Sequence, residues 1–215
     1  MSPVARIRDW VFDLDNTLYP APALYDEIGE RMTDYIARAV GVDRARALEL
    51  REHYFHEHGA TVVGLTLTHG VDARDFMAYV HDADYSVLTP DPALAALVAA
   101  LPGRKIVFTN GGGGHAERTL KALGLDRAFD LIFDLDAAGY APKPQRAAYE
   151  RLLGAFGVTP AHAMLVEDTL RNLEPAHELG FATALVGPVH PEPRPPYVDH
   201  YAHDVHTLLR AWLKA

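Results

Sequence analysis

Two aspartates separated by one residue, Asp13 and Asp15, close the apolar run "VFDLD" and lead into "NTLYP". In extended backbone, residues i and i+2 point the same way, so both carboxylates can address one site. Two acids that close repel unless a proton or a cation lies between them. A Mg²⁺ ion suits such a pair, because it takes one or two carboxylates together with waters and phosphate oxygens. The same tetrapeptide, "FDLD", recurs at Phe133–Asp136. Acids also gather at strand ends and turns for structural reasons. The pair alone therefore leaves open which copy is a reaction centre, and whether either is an ordinary turn.

Other polar residues follow apolar runs in the same way. Thr109 and Asn110 precede four glycines in "FTNGGGGH"; Lys143 stands between two prolines in "AGYAPKP"; Glu167 and Asp168 open "EDTLRN", which ends at Asn172. Phosphoryl transfer needs a nucleophile, an acid/base and charge neutralisation on the phosphoryl oxygens. A carboxylate can be the nucleophile. Thr109 offers a hydroxyl, the glycines offer backbone amides entering a helix, which suits an anion, and Lys143 offers a positive charge. Asp168 is the natural third acid for the pair.

These residues must be brought together by the elements before them. Short apolar runs at Ile7–Asp13, Lys105–Asn110, Leu131–Asp136, Ala163–Asp168 and Ala182–Gly187 read as strands buried on both faces. Helical patterns lie between them. "PALAALVAAL" follows Asp91 as N-cap with Pro92 at the first helical position, and "HAERTLKALG" stops at Gly124. "PQRAAYERLLGAFG" puts Ala148, Leu152, Leu153 and Phe156 on one face, and "LRNLEPAHELG" carries Pro175 inside it. This alternation implies an α/β fold, a Rossmann-like doubly wound parallel sheet. Such sheets place ligands beyond the carboxyl ends of their strands. Residues 19–90 break the alternation and read mostly as helix, with Leu24, Ile28, Met32, Tyr35, Ile36 and Val40 at helical spacing. Inserted after the first strand, they predict a small helical cap on a core made of residues 1–18 and 91–215. "GPVHPEPRPP" reads as a Pro-rich surface loop before a final helix.

Composition narrows the partners. The chain has 215 residues, 49% of them hydrophobic, enough for one core plus a smaller unit. Its 29 acids against 20 bases, net −9, disfavour a nucleic-acid polymer as partner. No cysteine is present, which excludes thiol chemistry. The start lacks the long apolar segment of a secretion signal, and no apolar run is long enough to span a bilayer. The expectation is a cytoplasmic protein without a membrane partner; oligomeric state is not readable.

The motifs "DLDNT" (Asp13–Thr17), "FTN" (Phe108–Asn110), "PKP" around Lys143 and "EDTLRN" (Glu167–Asn172), in this order, resemble the four motifs of the haloacid dehalogenase-like hydrolases. The stretches "LYPAPALYDEIGERMTDYI", "HGATVVGL" and "YVHDADYSVLTPDP" are similar to the cap of the pyrimidine 5′-nucleotidase-type branch. The resemblance implies that Asp13 attacks phosphorus and that Asp15 protonates the leaving oxygen and then activates water. Thr109 and Asn110 would hold the phosphoryl group, and Lys143 would bind it and neutralise charge. Asp13, Asp15 and Asp168 would bind Mg²⁺, Asp15 through its backbone carbonyl. Asn172 and Glu167 would support these groups from behind.

The implied activity is hydrolysis of a small phosphorylated metabolite through an aspartyl-phosphate, with a pyrimidine nucleotide such as UMP or CMP as the expected substrate. The alternatives are a sugar phosphate or phosphoglycolate, a phosphomutase, or a non-catalytic ligand-binding protein on the same fold. Metal-free dehalogenation would need neither a leaving-group proton nor Mg²⁺, so Asp15 argues against it. Neither His53, His56 and His58 nor His200, His203 and His206 forms an H-E-x-x-H metal motif. Both sets read as solvated or packing residues, the second spaced as on a helix face. His115, directly after the glycines, stands where it could contact a ligand. Tyr25, Tyr54, Phe55, Phe76, Tyr79 and Tyr85 read mostly as packing, while Tyr19 follows the acid pair directly.

Overall fold

The computed structural model describes residues 6–188 and 191–214. Residues 1–5, Val189 and His190 of the Pro-rich loop, and Ala215 lie outside the described residues. Each of the five apolar runs contains a strand: β1 (Asp9–Phe12), β2 (Arg104–Phe108), β3 (Leu131–Phe133), β4 (Ala163–Glu167) and β5 (Ala182–Val186). Every strand ends before its run does, so the polar residues closing the first four runs stand at or just past the strand end. A further short strand, β6 (His200–Ala202), completes a sheet of order β3-β2-β1-β4-β5-β6 with parallel pairings throughout. β1 is thus central, flanked by β2 and β4, and the strand order reverses around it. That switch is where an open α/β sheet forms a crevice at its carboxyl end.

Alternation along β1 divides its side chains between two hydrophobic clusters. Trp10 and Phe12 join Leu94 and Val98 of α5 (Pro92–Ala100), Leu120 of α6 (His115–Ala122), and Leu208, Leu209 and Trp212 of α9 (Val205–Leu213). Val11 joins Ala148, Tyr149 and Leu152 of α7 (Arg146–Phe156) and Leu173 and Ala176 of α8 (Leu170–Leu179). Each such fully buried Leu, Val or Phe contributes about 1.5–3 kcal/mol. Helices therefore cover both faces of the sheet, and both faces of β1 are dry. The Asp91 side chain accepts from the Leu94 amide at 2.9 Å with Pro92 opening the helix. α8 runs through Pro175 without interruption.

Between β1 and α5 come α1 (Pro22–Val40), α2 (Arg44–His58), α3 (Thr61–His69) and α4 (Ala73–Val80). They share a third cluster built on Ile36, Leu50, Tyr54, Leu65, Phe76 and Val80. α1 belongs to both regions, since its Leu24 and Ile28 pack into the cluster around Trp10. Leu135, just past β3, reaches the other way into the helical cluster.

One sequence expectation fails in this region. His200, His203 and His206 do not share a helix face: His200 lies in β6, His203 in the following bend, and His206 in α9. The three-residue pairing of β6 with β5 overrides the helical spacing. Among the described residues, no helix is long and apolar enough to cross a membrane.

Candidate active site

Asp13 follows β1, and its amide donates to the Val166 carbonyl of β4 at 2.9 Å, which extends the strand pairing by one residue. Its carboxylate is buried and meets Lys143 and Thr17. Lys143 Nζ lies 2.6 Å from Asp13 Oδ1, 2.7 Å from the Phe108 carbonyl and 2.8 Å from Glu167 Oε2. The Thr17 hydroxyl donates to Asp13 Oδ2 at 3.1 Å. An ammonium has three N–H groups, so this one is fully used within the protein. Toward a phosphoryl group Lys143 acts first as a charge.

Charge and burial compete strongly here. Burial and the nearby Glu167 push the Asp13 carboxyl up to about 7, against the pull of Lys143. Glu167 and Asp168 are also raised, chiefly by burial. Burial works to lower Lys143, but Asp13 and Glu167 outweigh it and hold the ammonium charged. One buried lysine meets Asp13 and Glu167 directly, with the half-buried Asp168 beside them. Oxygens of Asp13, Glu167 and Asp168 lie within 4.8 Å of one another and could hold a metal ion. Asn172 Oδ1, which lines the same cavity, is buried with no hydrogen-bond partner. Three hard oxygen donors with raised carboxyls and a spare acceptor beside them fit a hard divalent cation.

One reading of the acids changes. Glu167, read as a supporting group, is one of the three clustered carboxylates. The carboxylate of Asp15 is not. A tight turn over Leu14–Tyr19, with Asn16 at φ 61 and its amide donating to the Tyr19 carbonyl, carries Asp15 away from the cluster. There the Tyr19 hydroxyl donates to Asp15 Oδ1. His115 Nε2 lies 2.9 and 3.1 Å from the two Asp15 oxygens. Burial works to raise the Asp15 carboxyl, but His115 and Tyr19 outweigh it and leave it below its ordinary value.

The glycine loop also differs from an open amide cradle. Gly111 donates to Thr109 Oγ1 at 2.9 Å, and Gly113 donates to Asp136 Oδ2 at 2.8 Å. Gly113 has φ +59, and a Cβ there would stand 2.9 Å from the Met77 carbonyl of α4. Glycine at this position permits close packing of core loop on helix rather than ligand approach. Asn110 turns to the lysine loop instead of facing outward. Its Nδ2 donates to the Lys143 carbonyl at 2.9 Å, and its Oδ1 accepts from the Lys143 amide at 2.8 Å. Asn110 thus positions Lys143, and the buried Thr109 hydroxyl borders the cavity beside it.

Asp13, Asp15, Thr109, Asn110, Lys143, Glu167, Asp168 and Asn172 line one cavity of about 530 Å³. Its other walls come from the helices after β1, including Tyr25, Met32, Arg51, Phe55 and Phe76. The Arg171 guanidinium of α8 lies 4.9 Å over the Phe55 ring of α2. The structure therefore brings together Asp13, Lys143, Glu167 and Asp168, sets Asp15 beside them, and places Thr109 and Asn172 on the wall. Thr17 and Tyr85 are additional participants. Thr17 lay inside a motif without a role, and Tyr85 read as packing; its hydroxyl meets His115 Nδ1 at 2.8 Å.

The family description "haloacid dehalogenase-like hydrolase" matches residues 10–180. Phosphate metabolism protein 8 of Saccharomyces cerevisiae is 28% identical over 188 residues, covering 79% of this chain. The match spans 58% of that relative's length. Among solved structures, L-2-haloacid dehalogenase from Xanthobacter autotrophicus superposes with TM-score 0.61 at 21% identity, covering 95% of this chain and 97% of the other. A HAD phosphatase from Thermococcus onnurineus gives TM-score 0.63 at 17% identity, with the same shares covered. At these identities the structural likeness speaks for the fold. The match of the family over most of the sequence decides membership: the chain belongs to the haloacid dehalogenase-like hydrolases.

Proposed function

We propose that the chain is a Mg²⁺-dependent phosphomonoester hydrolase, with residues 19–90 as a cap over a core of residues 1–18 and 91–215. The observation that carries this reading is the buried Lys143 ammonium, 2.6 Å from Asp13 and 2.8 Å from Glu167, beside Asp168. It favours the ionised form of the buried Asp13 and offers positive charge where phosphoryl charge must be met.

In the proposed reaction an Asp13 oxygen attacks phosphorus and the bond to the ester oxygen breaks. Asp15, ionised in the resting site, takes up one proton with the substrate and gives it to the leaving oxygen. The same carboxylate, now ionised, takes a proton from water as that water attacks the aspartyl-phosphate, and phosphate leaves. Thr109 donates its hydroxyl to a phosphoryl oxygen, while Asn110 and Glu167 hold Lys143 in place. Asp13, Glu167 and Asp168, with the Asp15 backbone carbonyl, are the proposed Mg²⁺ donors. When bound, the ion neutralises the clustered acids and the phosphoryl oxygens. Asn172 supports this group through its unpartnered acceptor. The yeast relative's name speaks of phosphate metabolism, in agreement with this chemistry. A dehalogenase, by contrast, has no task for the proton on Asp15.

The proposed substrate is a pyrimidine nucleoside 5′-monophosphate such as UMP or CMP. The cavity volume of about 530 Å³ falls in the range of small-molecule sites, and Tyr25 and Phe55 offer rings for a base. Arg51, Glu52 and Arg171 on the same walls favour, as the second reading, a more polar metabolite such as a sugar phosphate or phosphoglycolate. The test is phosphate release from UMP, CMP, glucose 6-phosphate and phosphoglycolate, with and without Mg²⁺, beside Asp13→Asn. Release should require Mg²⁺ and vanish in the folded variant. Metal-independent release, or an active Asp13→Asn, would overturn the reading.

A further inference from the structure

His115 opens α6, is 1% exposed, and is used by nothing in the reaction above. The carboxylate of Asp15 accepts only, so the His115 nitrogen facing both of its oxygens, Nε2, carries a proton and donates. The other ring nitrogen meets the Tyr85 hydroxyl at 2.8 Å. The ring stacks on His81 with centroids 4.6 Å apart and planes 26° apart. Tyr85 and His81 are themselves tied down. Arg118 of α6 donates to the His81 carbonyl at 3.0 Å and lies 5.2 Å over the Tyr85 ring.

Asp15 sits on a turn rather than in a strand, so the sheet does not fix the direction of its carboxylate. Two donors fix it instead: Tyr19 from its own turn and His115 from α6. His115 is in turn oriented by residues 81–85, which return from the helical insert. We propose that His115 is a positioning residue that aims the Asp15 carboxylate at the leaving oxygen, and that Tyr85 and His81 set its orientation. Asp15 is then correctly aimed only while the segment after α4 is seated on α6. This rests on the reading of Asp15 as the acid/base.

The test compares UMP with p-nitrophenyl phosphate, because p-nitrophenolate leaves without a proton. The parameter is kcat/KM, which reports the step in which the ester bond breaks and not the later water attack. His115→Leu should lower kcat/KM for UMP roughly 10- to 100-fold, the size of a misplaced acid, and that for p-nitrophenyl phosphate much less. KM should change little. His115→Gln keeps an N–H near the position of Nε2 and should recover most of the loss; Tyr85→Phe should show the same leaving-group bias more weakly. Equal losses on both esters, or a Gln variant no better than Leu, would overturn the proposal. Should His115→Leu not fold, the Tyr85→Phe ratio decides in the same way. A readout without turnover is the imidazole nitrogen NMR spectrum. The His115 Nε2–H signal should be exchange-protected in the parent and lost in Asp15→Ala; an unprotected proton in the parent contradicts the seat. Active Asp13→Asn and Asp15→Asn variants would instead defeat the underlying reading of the site.

Discussion

The two copies of "FDLD" end parallel strands of one sheet and are built alike. Phe12 and Leu14 are buried in the first, Phe133 and Leu135 in the second. In each, the second acid accepts from the tyrosine four residues on, Tyr19 for Asp15 and Tyr140 for Asp136. Their partners across the sheet differ. β1 is central, so Asp13 meets Glu167 from β4 and, through Lys143, the loop after β3. β3 is an edge strand, and Asp134 accepts the Ala137 amide at 2.8 Å within its own turn. Asp136 anchors Gly113 rather than facing the acid cluster. The tetrapeptide supplies two acids on a common side; its place in the sheet decides whether a lysine and further acids reach them.

The largest effect expected from this contrast is on turnover. Asp15→Asn should lower kcat by roughly 10²- to 10⁴-fold, as removal of an acid/base does, while Asp136→Asn should stay within about tenfold. Steady-state phosphate release measures both, and equal losses would break the distinction between the copies. Metal binding should separate them next. Mg²⁺ at a hundredfold excess over its dissociation constant should stabilise the protein by about 2.7 kcal/mol. In thermal melts this shift should vanish in Asp168→Asn and persist in Asp134→Asn.

The packing of the glycine loop that Asp136 of the second copy anchors gives a smaller effect. Gly113 and Gly157 have similar backbone, φ +59 and +61, but a Cβ at Gly113 strikes the Met77 carbonyl while one at Gly157 meets nothing within 4 Å. Gly157→Ala should cost about 1 kcal/mol for the left-handed backbone, and Gly113→Ala about 1–3 kcal/mol more for the forced contact; urea unfolding resolves the difference.

The smallest effect concerns acid sensitivity beside the first copy. Burial, together with His115 and Arg118, pushes His81 down to about 3, against the pull of Asp15 and the Met77 carbonyl. The folded value lies below the ordinary 6.5, so the unfolded chain takes up this proton first. Its contribution to stability is complete above pH 6.5 and is lost as pH falls toward 3, by at most about 1.4 kcal/mol per pH unit. His81→Gln should flatten that part of the urea-midpoint profile; an unchanged slope would show that His81 is not held neutral.

Much of this was legible in the chain because it is local. Apolar runs closed by polar residues located five strands and the acids beyond them, and the shift to helical spacing located the insert. β6 was not legible, because three residues with only Ala202 buried leave no periodic signal. Long-range pairings were not legible either. His115 and Asp15 are 100 residues apart, and the Asn110 amide is taken by a backbone 33 residues later. A residue type announces what it can donate or accept, whereas the fold decides what it meets. For that reason Asn110 read as a phosphate contact and Glu167 as a supporting acid.

The central claim is that the first copy, and not its twin, carries the phosphoryl group. An aspartyl-phosphate is reduced by borohydride to homoserine, so one sample can interrogate both copies. The protein is quenched during turnover of UMP with Mg²⁺, reduced, digested and analysed by mass spectrometry. Conversion at Asp13, with Asp134 and Asp136 unchanged, is the result predicted. Conversion at Asp134 or Asp136, or no conversion at any aspartate in a sample that released phosphate, would contradict it.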